Sequence, residues 1–374
     1  MKLEILKENL KAGLSVVERI VGRNLSLPVL NNVLLDTEDT FLVLTSTDLE
    51  TAIRLWILTK IIKKGRAVVP AKFISSFVGT LSNEKITIEV KDQNIHIEGK
   101  NIKTSIQGHS PEEFPIIPEF KNVDVLEVDV AKFTQGLGQV IDIPIGSQSR
   151  PEISGIYISF SGNTIKLAAT DSFRLGEKNI TLDKPVKKNC SFILPQRPAR
   201  EILNVLEGKE GNVKIYFSGN QALFEFPFKE IDHPQVQISS RLIDGEYPNY
   251  QDIIPTKFKA NVVVRREEFL NQIKTASLFS GKVNEVKIST HPDKKELGIF
   301  ARSQDVGENR ASIAAMVEGE ALEVSFNYKY VIDGLNHIKS SEVMFDISKE
   351  DGPCILRPVG DASYLYVVMP IKPM

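Results

Sequence analysis

Cysteine is nearly absent from this chain of 374 residues, and the two it has, Cys190 and Cys354, lie far apart with no CxxC spacing. They cannot frame a disulfide scaffold, and such usage fits a reducing compartment. Histidine is scarce as well: His96, His109, His233, His291 and His337 show no metal-ligand spacing, and HExxH does not occur. No glycine-rich loop runs into a Lys-Ser or Lys-Thr pair, so neither metal hydrolysis nor P-loop chemistry is indicated, and no metal or cofactor is expected. Long hydrophobic runs are missing; even Ile53 to Ile62 is interrupted by Arg54 and Lys60, and the first ten residues carry charges throughout. This excludes a signal peptide and a helical membrane span, and the chain reads as soluble and cytoplasmic, with no membrane partner. Neither sign of charge dominates, with 46 basic against 48 acidic residues. Any binding to nucleic acid must then come from charges sorted onto one surface. Trp56 is the sole tryptophan, and the scattered Tyr and Phe do not cluster into the stacking platforms that single strands require.

Repetition is the positive signal. The length suggests two or three domains, and three segments open alike, with a strand pattern running into an amphipathic helix: Leu3 to Leu10, Leu126 to Phe133, and Val262 to Phe269. Each is followed by an alternating strand that closes on an aspartate, at Asp48, Asp171 and Asp305, and then by a strand running into a second helix near Lys72, Arg197 and Lys329. The marks keep step: 123 residues separate Asp48 from Asp171 and also Leu10 from Phe133, while 134 and 136 separate the corresponding later pairs. Proline-rich stretches, Phe114 to Pro118 and Tyr247 to Pro255, punctuate the boundaries. The period is far longer than that of a solenoid, so the reading is three tandem α+β domains, rich in antiparallel sheet, over 1–121, 122–256 and 257–374.

Basic residues flank the apolar stripes of the helices: Lys7, Lys11 and Arg23 in the first segment, Lys72 and Arg197 at the second helices, Lys274, Lys282, Lys329 and Lys339 in the third. On one helix this is an ordinary solvated face. In three matched copies it can add up to a basic surface on a slightly acidic chain. The recurring aspartates read as turn residues bonding backbone amides, which argues against a unique catalytic acid and against an enzyme. Only the middle copy follows its aspartate with Phe173-Arg174-Leu175, so one of the three turns is elaborated.

Thr170-Asp-Ser-Phe-Arg-Leu175, Ser239 to Tyr250 and the ending Tyr364 to Lys372 together resemble the β sliding clamps of bacterial DNA polymerase III, and the resemblance spans the whole chain. It implies a head-to-tail homodimeric ring around double-stranded DNA, helices lining the hole and sheets outside, tethering the polymerase for processive synthesis without catalysis of its own. It further implies a hydrophobic pocket between the second and third domains for short peptides of the DNA polymerase III catalytic subunit, the clamp loader, and other polymerases and repair proteins that carry a clamp-binding motif. Carried over by position, the pocket would use Ile153, Thr170, Ser172, Phe173, Arg174, Leu175, Pro248 and Ile253, faced by Val367, Met369, Pro370, Ile371 and Lys372. Apolar and Met side chains suit an extended peptide, and a rim Arg or Lys can hold a carbonyl or carboxylate. Ser172 and Phe173 stand where many clamps have Gly and His. Arg23, Lys72, Arg150 and Arg197 are the implied DNA contacts, and Leu278-Phe279 with Ile106 the implied dimer interface. The alternative is a monomeric three-domain module for nucleic acid or peptide that closes no ring.

Overall fold

A computed structural model describes the chain apart from residues 23–25, 83, 119, 121–124, 148 and 373–374. The first repeat comprises β1 (Lys2–Leu6), α1 (Lys7–Val17), β2 (Asn32–Glu38), β3 (Phe41–Thr47), β4 (Thr51–Leu58), β5 (Lys60–Lys63), β6 (Arg66–Pro70), α2 (Ala71–Thr80), β7 (Lys85–Lys91), β8 (Asn94–Gly99) and β9 (Ile102–Ile106). The second comprises β10 (Val125–Asp129), α3 (Val130–Val140), β11 (Gly155–Ser161), β12 (Thr164–Thr170), β13 (Arg174–Thr181), β14 (Cys190–Pro195), α4 (Gln196–Leu206), β15 (Asn212–Ser218), β16 (Gln221–Pro227) and β17 (Pro234–Arg241). The third comprises β18 (Ala260–Arg265), α5 (Arg266–Ser277), β19 (Glu285–His291), β20 (Glu296–Ser303), β21 (Gly307–Gly319), β22 (Glu323–Asn327), α6 (Tyr328–His337), β23 (Glu342–Ile347), β24 (Cys354–Pro358) and β25 (Tyr364–Val368). The chain is therefore three tandem α+β repeats with the same strand–helix order, the first having one extra strand, β5.

Local pattern explains the helices. In α1, Leu10, Leu14 and Val17 fall on one face and are buried, the spacing that an amphipathic helix needs. Gly13 interrupts that face because a Cβ there would stand 2.4 Å from the Ile57 side chain. Gly136 of α3 holds the matching place in the second repeat, 2.8 Å from Ile180. In α5 Phe269 and Ile273 are buried as the pattern predicts, whereas Leu278, just past the helix, is 72% exposed.

All strand pairs are antiparallel, and each repeat contributes two sets of strands. The opening strand joins the three strands after the second helix, with β5 added in the first repeat to give β5-β1-β7-β8-β9; the remaining strands between the helices form the other set, as in β4-β3-β2-β6. The sets do not stop at repeat boundaries. An eight-stranded sheet runs β10-β15-β16-β17-β4-β3-β2-β6, and a twelve-stranded one runs β14-β11-β12-β13-β25-β24-β23-β18-β21-β20-β19-β22. By compactness the chain divides into two units, residues 1–134 with 197–242 and residues 135–196 with 243–374. Each therefore contains one junction between consecutive repeats.

Candidate functional site

In the second unit the junction is β13 against β25, with Arg174 opposite Val368 and Lys178 opposite Tyr364. The turn leading into β13 is built by side chains. Thr170 Oγ1 donates to the Arg174 carbonyl at 2.8 Å and accepts from Ser172 N at 3.1 Å. Asp171 Oδ1 accepts from the amides of Phe173 and Arg174 at 2.9 and 3.0 Å. Ser172 is forced into the left-handed region, φ 78°, which Gly adopts without cost and other residues do not. The C-terminal segment closes the site when Met369 N donates to the Phe173 carbonyl at 2.9 Å and Ile371 N to the Ser325 carbonyl at 2.8 Å.

Beneath this turn lies a cluster of Ala168, Leu175, Ile193, Tyr247, Tyr250, Ile355 and Val367. Tyr157 stacks on Tyr247 at 5.0 Å between centroids, and Tyr250 donates to Glu177 Oε2 at 2.7 Å. Burial, and for Tyr250 also Glu177, raises both phenols above an ordinary tyrosine. Ile153, Thr170, Leu175 and Val367 are thus buried supports, whereas Ser172, Phe173, Ile253 and Lys372 are exposed and Pro248, Met369, Pro370 and Ile371 half-buried. Phe173, 58% exposed, stacks on Tyr330 of α6 at 6.3 Å, so the aromatic leans on α6 and stays accessible.

Arg174 is not the rim cation expected from its position. It is 7% exposed, with Nε donating to Asp171 Oδ2 at 2.9 Å, Nη1 to Asp333 of α6, and Nη2 to the Asp142 carbonyl at 3.1 Å. Its guanidinium also lies 4.8 Å from the Tyr330 ring centre. Burial works against its charge, but Tyr366 and Asp171 more than offset this and raise its pKa above the ordinary arginine value. It is a clasp joining the turn, α6 and the chain after α3. A cation that does reach the surface of the site is Arg150, whose Nη1 donates to Ser172 Oγ at 3.0 Å. Arg150, a DNA contact by the resemblance, lies beside Ser172, one of the residues expected to take a peptide. Tyr330 and Asp333 escaped the sequence reading, and the only signal for them was an aromatic at the third residue of the third repeat's second helix.

The first unit holds the same junction, β4 against β17, with Thr51 opposite Ser240. Thr47 Oγ1 donates to the Thr51 carbonyl at 2.8 Å and accepts from Leu49 N at 3.0 Å; Asp48 Oδ1 accepts from Glu50 N and Thr51 N at 3.1 and 2.7 Å. Leu49 has φ 75°. Arg241 N donates to the Glu50 carbonyl at 2.8 Å, as Met369 N does to Phe173. The third turn differs. Ser303 pairs with Gly307, one residue sooner than Thr47 with Ala52 or Thr170 with Leu175. Asp305 N donates to Ser303 Oγ at 3.3 Å, so Asp305 occupies the place of Leu49 and Ser172 while Gln304 stands where the aspartate should. The expected recurrence of a turn aspartate holds in two copies and fails in the third.

The other expected residues are scattered. Lys72 is exposed at the start of α2. Arg197 at the start of α4 pairs with Asp48 at 3.1 Å and donates to the Ile20 carbonyl at 3.3 Å, its side chain 61% exposed. Arg23 lies outside the described residues. Leu278 is exposed and Phe279 half-buried. Ile106 is 5% exposed, packed inside the first repeat on the face of β9 opposite Lys103 and Ser105, so its side chain offers no counterpart for Leu278. Among the described residues no helix is long and apolar enough to cross a membrane, and no group of His, Cys, Asp and Glu could hold a metal ion.

Family models of the DNA polymerase III beta subunit match this chain along most of its length: the N-terminal domain over residues 1–118, the central domain over 127–249 and the C-terminal domain over 251–372. The beta sliding clamp of Synechococcus elongatus is 27% identical, the match covering 100% of this chain and 99% of that protein. That of Staphylococcus aureus is 26% identical with the same coverage. The crystal structure of the DNA polymerase sliding clamp from Bacillus subtilis aligns with a TM-score of 0.94 at 25% identity, covering 100% of both chains. A sliding clamp from Pseudomonas aeruginosa bound to griselimycin aligns at 0.93 and 23% identity, again over 100% of both.

Proposed function

The chain belongs to the DNA polymerase III beta subunit family, whose members named above are sliding clamps, and from that premise we propose that two copies close head to tail into a ring around duplex DNA. The ring tethers the polymerase catalytic subunit, is opened by a clamp loader, and serves other polymerases and repair proteins through the site at the second junction. It catalyses nothing itself and works in the cytoplasm. The repeats are assigned to 1–121, 122–256 and 257–374.

One observation carries the ring. Each repeat lends its successor an edge: β4 of the first pairs with β17 of the second, and β13 of the second with β25 of the third. By position the strands left over are the Gly307–Ala314 part of β21 and strand β9. Each is paired on one side only among the described residues. An open edge seeks a partner, and two copies joined twice by a heterologous contact of this kind close on themselves. Exposed apolar residues stand at the corresponding places: Leu278 and Val306 on the third repeat, Phe73 on α2 of the first, 72%, 64% and 56% exposed. Phe73 holds in α2 the place of Tyr330 in α6, which makes it a better counterpart for Leu278 than buried Ile106.

Contact with DNA is supported by charge placement. Helices α2, α4 and α6 each carry a cation at the second residue, Lys72, Arg197 and Lys329, with no acid in the first turn. A cation there opposes the helix dipole, so helix stability does not account for three of them. All three are exposed, and a phosphate contact needs only a positive group within reach. Arg23, six residues beyond the end of α1 in sequence, is assigned the same role.

The test is retention on circular against linear DNA after loading, with the solution mass of the free protein. A dimer retained on circles and lost from linear ends is the expected result. A monomer lost equally from both would overturn the ring and leave an open binding module.

A further inference from the structure

The two internal junctions share one strand register, and the same register can be carried to the open edges. Counted from the strand that precedes each second helix, Arg310 of β21 holds the place of Arg54 in β4 and Glu177 in β13, so Asn309 stands where those strands have Ile53 and Gly176. Counted from the strand that precedes each first helix, Thr104 of β9 holds the place of Ile238 in β17 and Tyr366 in β25. Ile53 lies opposite Ile238, and Gly176 opposite Tyr366. A second copy joined in this way sets the partner subunit's Thr104 opposite Asn309. The faces agree as well. Thr104 alternates onto the face of buried Ile106, and Asn309 onto that of buried Ile313, whereas a slip of one residue would set a core face against an outer one.

Asn309 Oδ1 is itself buried and accepts from no donor among the described residues, a state that native proteins rarely leave unanswered. We propose that the Thr104 hydroxyl of one copy donates to Asn309 Oδ1 of the next, and that this pair fixes the register of the seam between copies while lowering its strength. The proposal rests on the head-to-tail ring and names the contact by which the second copy is recognised. At the same inward position the internal junctions place Ile with Ile and Gly with Tyr. A polar pair there selects its partner but binds less tightly, because two groups leave water to make one bond. On the outer face the register sets Lys103 diagonal to Glu308 and directly opposite Arg310, and like charges so placed repel. Each cation is already paired within its own copy, Lys103 with Glu98 at 3.1 Å and Arg310 with Glu308 at 3.4 Å.

The experiment uses the whole protein. In a Cys190→Ser background, cysteines are introduced in pairs and mildly oxidised. Thr104→Cys with Asn309→Cys should give about tenfold more covalent dimer on a denaturing gel than Thr104→Cys with Ala311→Cys, which is two residues out of register. Sedimentation then reads the bond itself. Thr104→Val strands Asn309 Oδ1 and should raise the dimer dissociation constant about tenfold. Thr104→Ile with Asn309→Ile, the pair of the first junction, should lower it about tenfold below that of the native protein. Cross-links favouring the shifted pair, or a dissociation constant unmoved by Thr104→Val, in a protein that still sediments as a dimer, overturn this contact and leave the ring standing. A monomer at every concentration overturns both.

Discussion

The two junctions share a backbone and differ in what fills it. At the first, Thr51 sits where the second has Arg174, and the linker is pinned by one buried aromatic, Phe114, packed with Leu34 and Val68. At the second, Arg174 ties Asp171 to Asp333, and Tyr247 and Tyr250 anchor the linker in a core with Tyr157. The lesson is that a turn fixed by Thr and Asp can carry unrelated surfaces. The residues after the aspartate are free to vary because Oδ1 holds their amides and not their side chains.

The contrast can be broken most severely at the clasp. Arg174→Ala leaves Asp171 and Asp333 without their cation, and should cost about 3 kcal/mol, the usual penalty for stripping one partner from a buried pair. Thr51→Ala, its counterpart, should cost about 1 kcal/mol or less; chemical denaturation of both variants reads the difference. If the junction between copies repeats the pattern, Leu278→Asp places a charge against Phe73 and should raise the dimer dissociation constant roughly 30-fold or more, about 2 kcal/mol. Sedimentation measures it, and Phe73→Asp should match it while Ile106→Val, confined to the interior, should leave association unchanged.

Alkaline titration sharpens the comparison further. The Tyr250 phenol is raised above its ordinary value of 10 by burial and by Glu177. Its neutral form therefore contributes stability in full below about pH 10, and the contribution is lost as pH rises from there toward the folded value. Melting temperature should fall above pH 10, and Tyr250→Phe should flatten that fall while costing about 1 kcal/mol at neutral pH through the lost hydrogen bond. The smallest effect is expected at Ser172→Gly. Relief of the left-handed strain should stabilise by about 0.5 kcal/mol after the entropy cost of glycine, visible as a shift in denaturation midpoint.

Much of this was legible in the sequence. Strand-to-helix openings were found in all three repeats because each carries its apolar stripe within a dozen residues, a distance over which periodicity is readable. Asp48 and Asp171 declared their turns through the preceding threonine. The third turn misled because Ser303-Gln304-Asp305 keeps an aspartate while dropping one residue, and only hydrogen bonding separates the two cases. Arg174 read as a rim cation because its partner Asp333 lies 159 residues away, beyond any local pattern. Ile106 was readable after all: it alternates with Ser105 and Lys103, and that parity points it inward.

The strand pairing at each junction also has a mechanical meaning. Five residue pairs join β4 to β17, and five join β13 to β25. A force along the strands loads the whole ladder at once, and none of its bonds yields until all do. A force at one end unpicks it a pair at a time, each bond costing about 1 kcal/mol once the previous one has gone. A seam of this construction is strong in shear and weak in peel. Whatever opens it needs less force if it begins at a strand end.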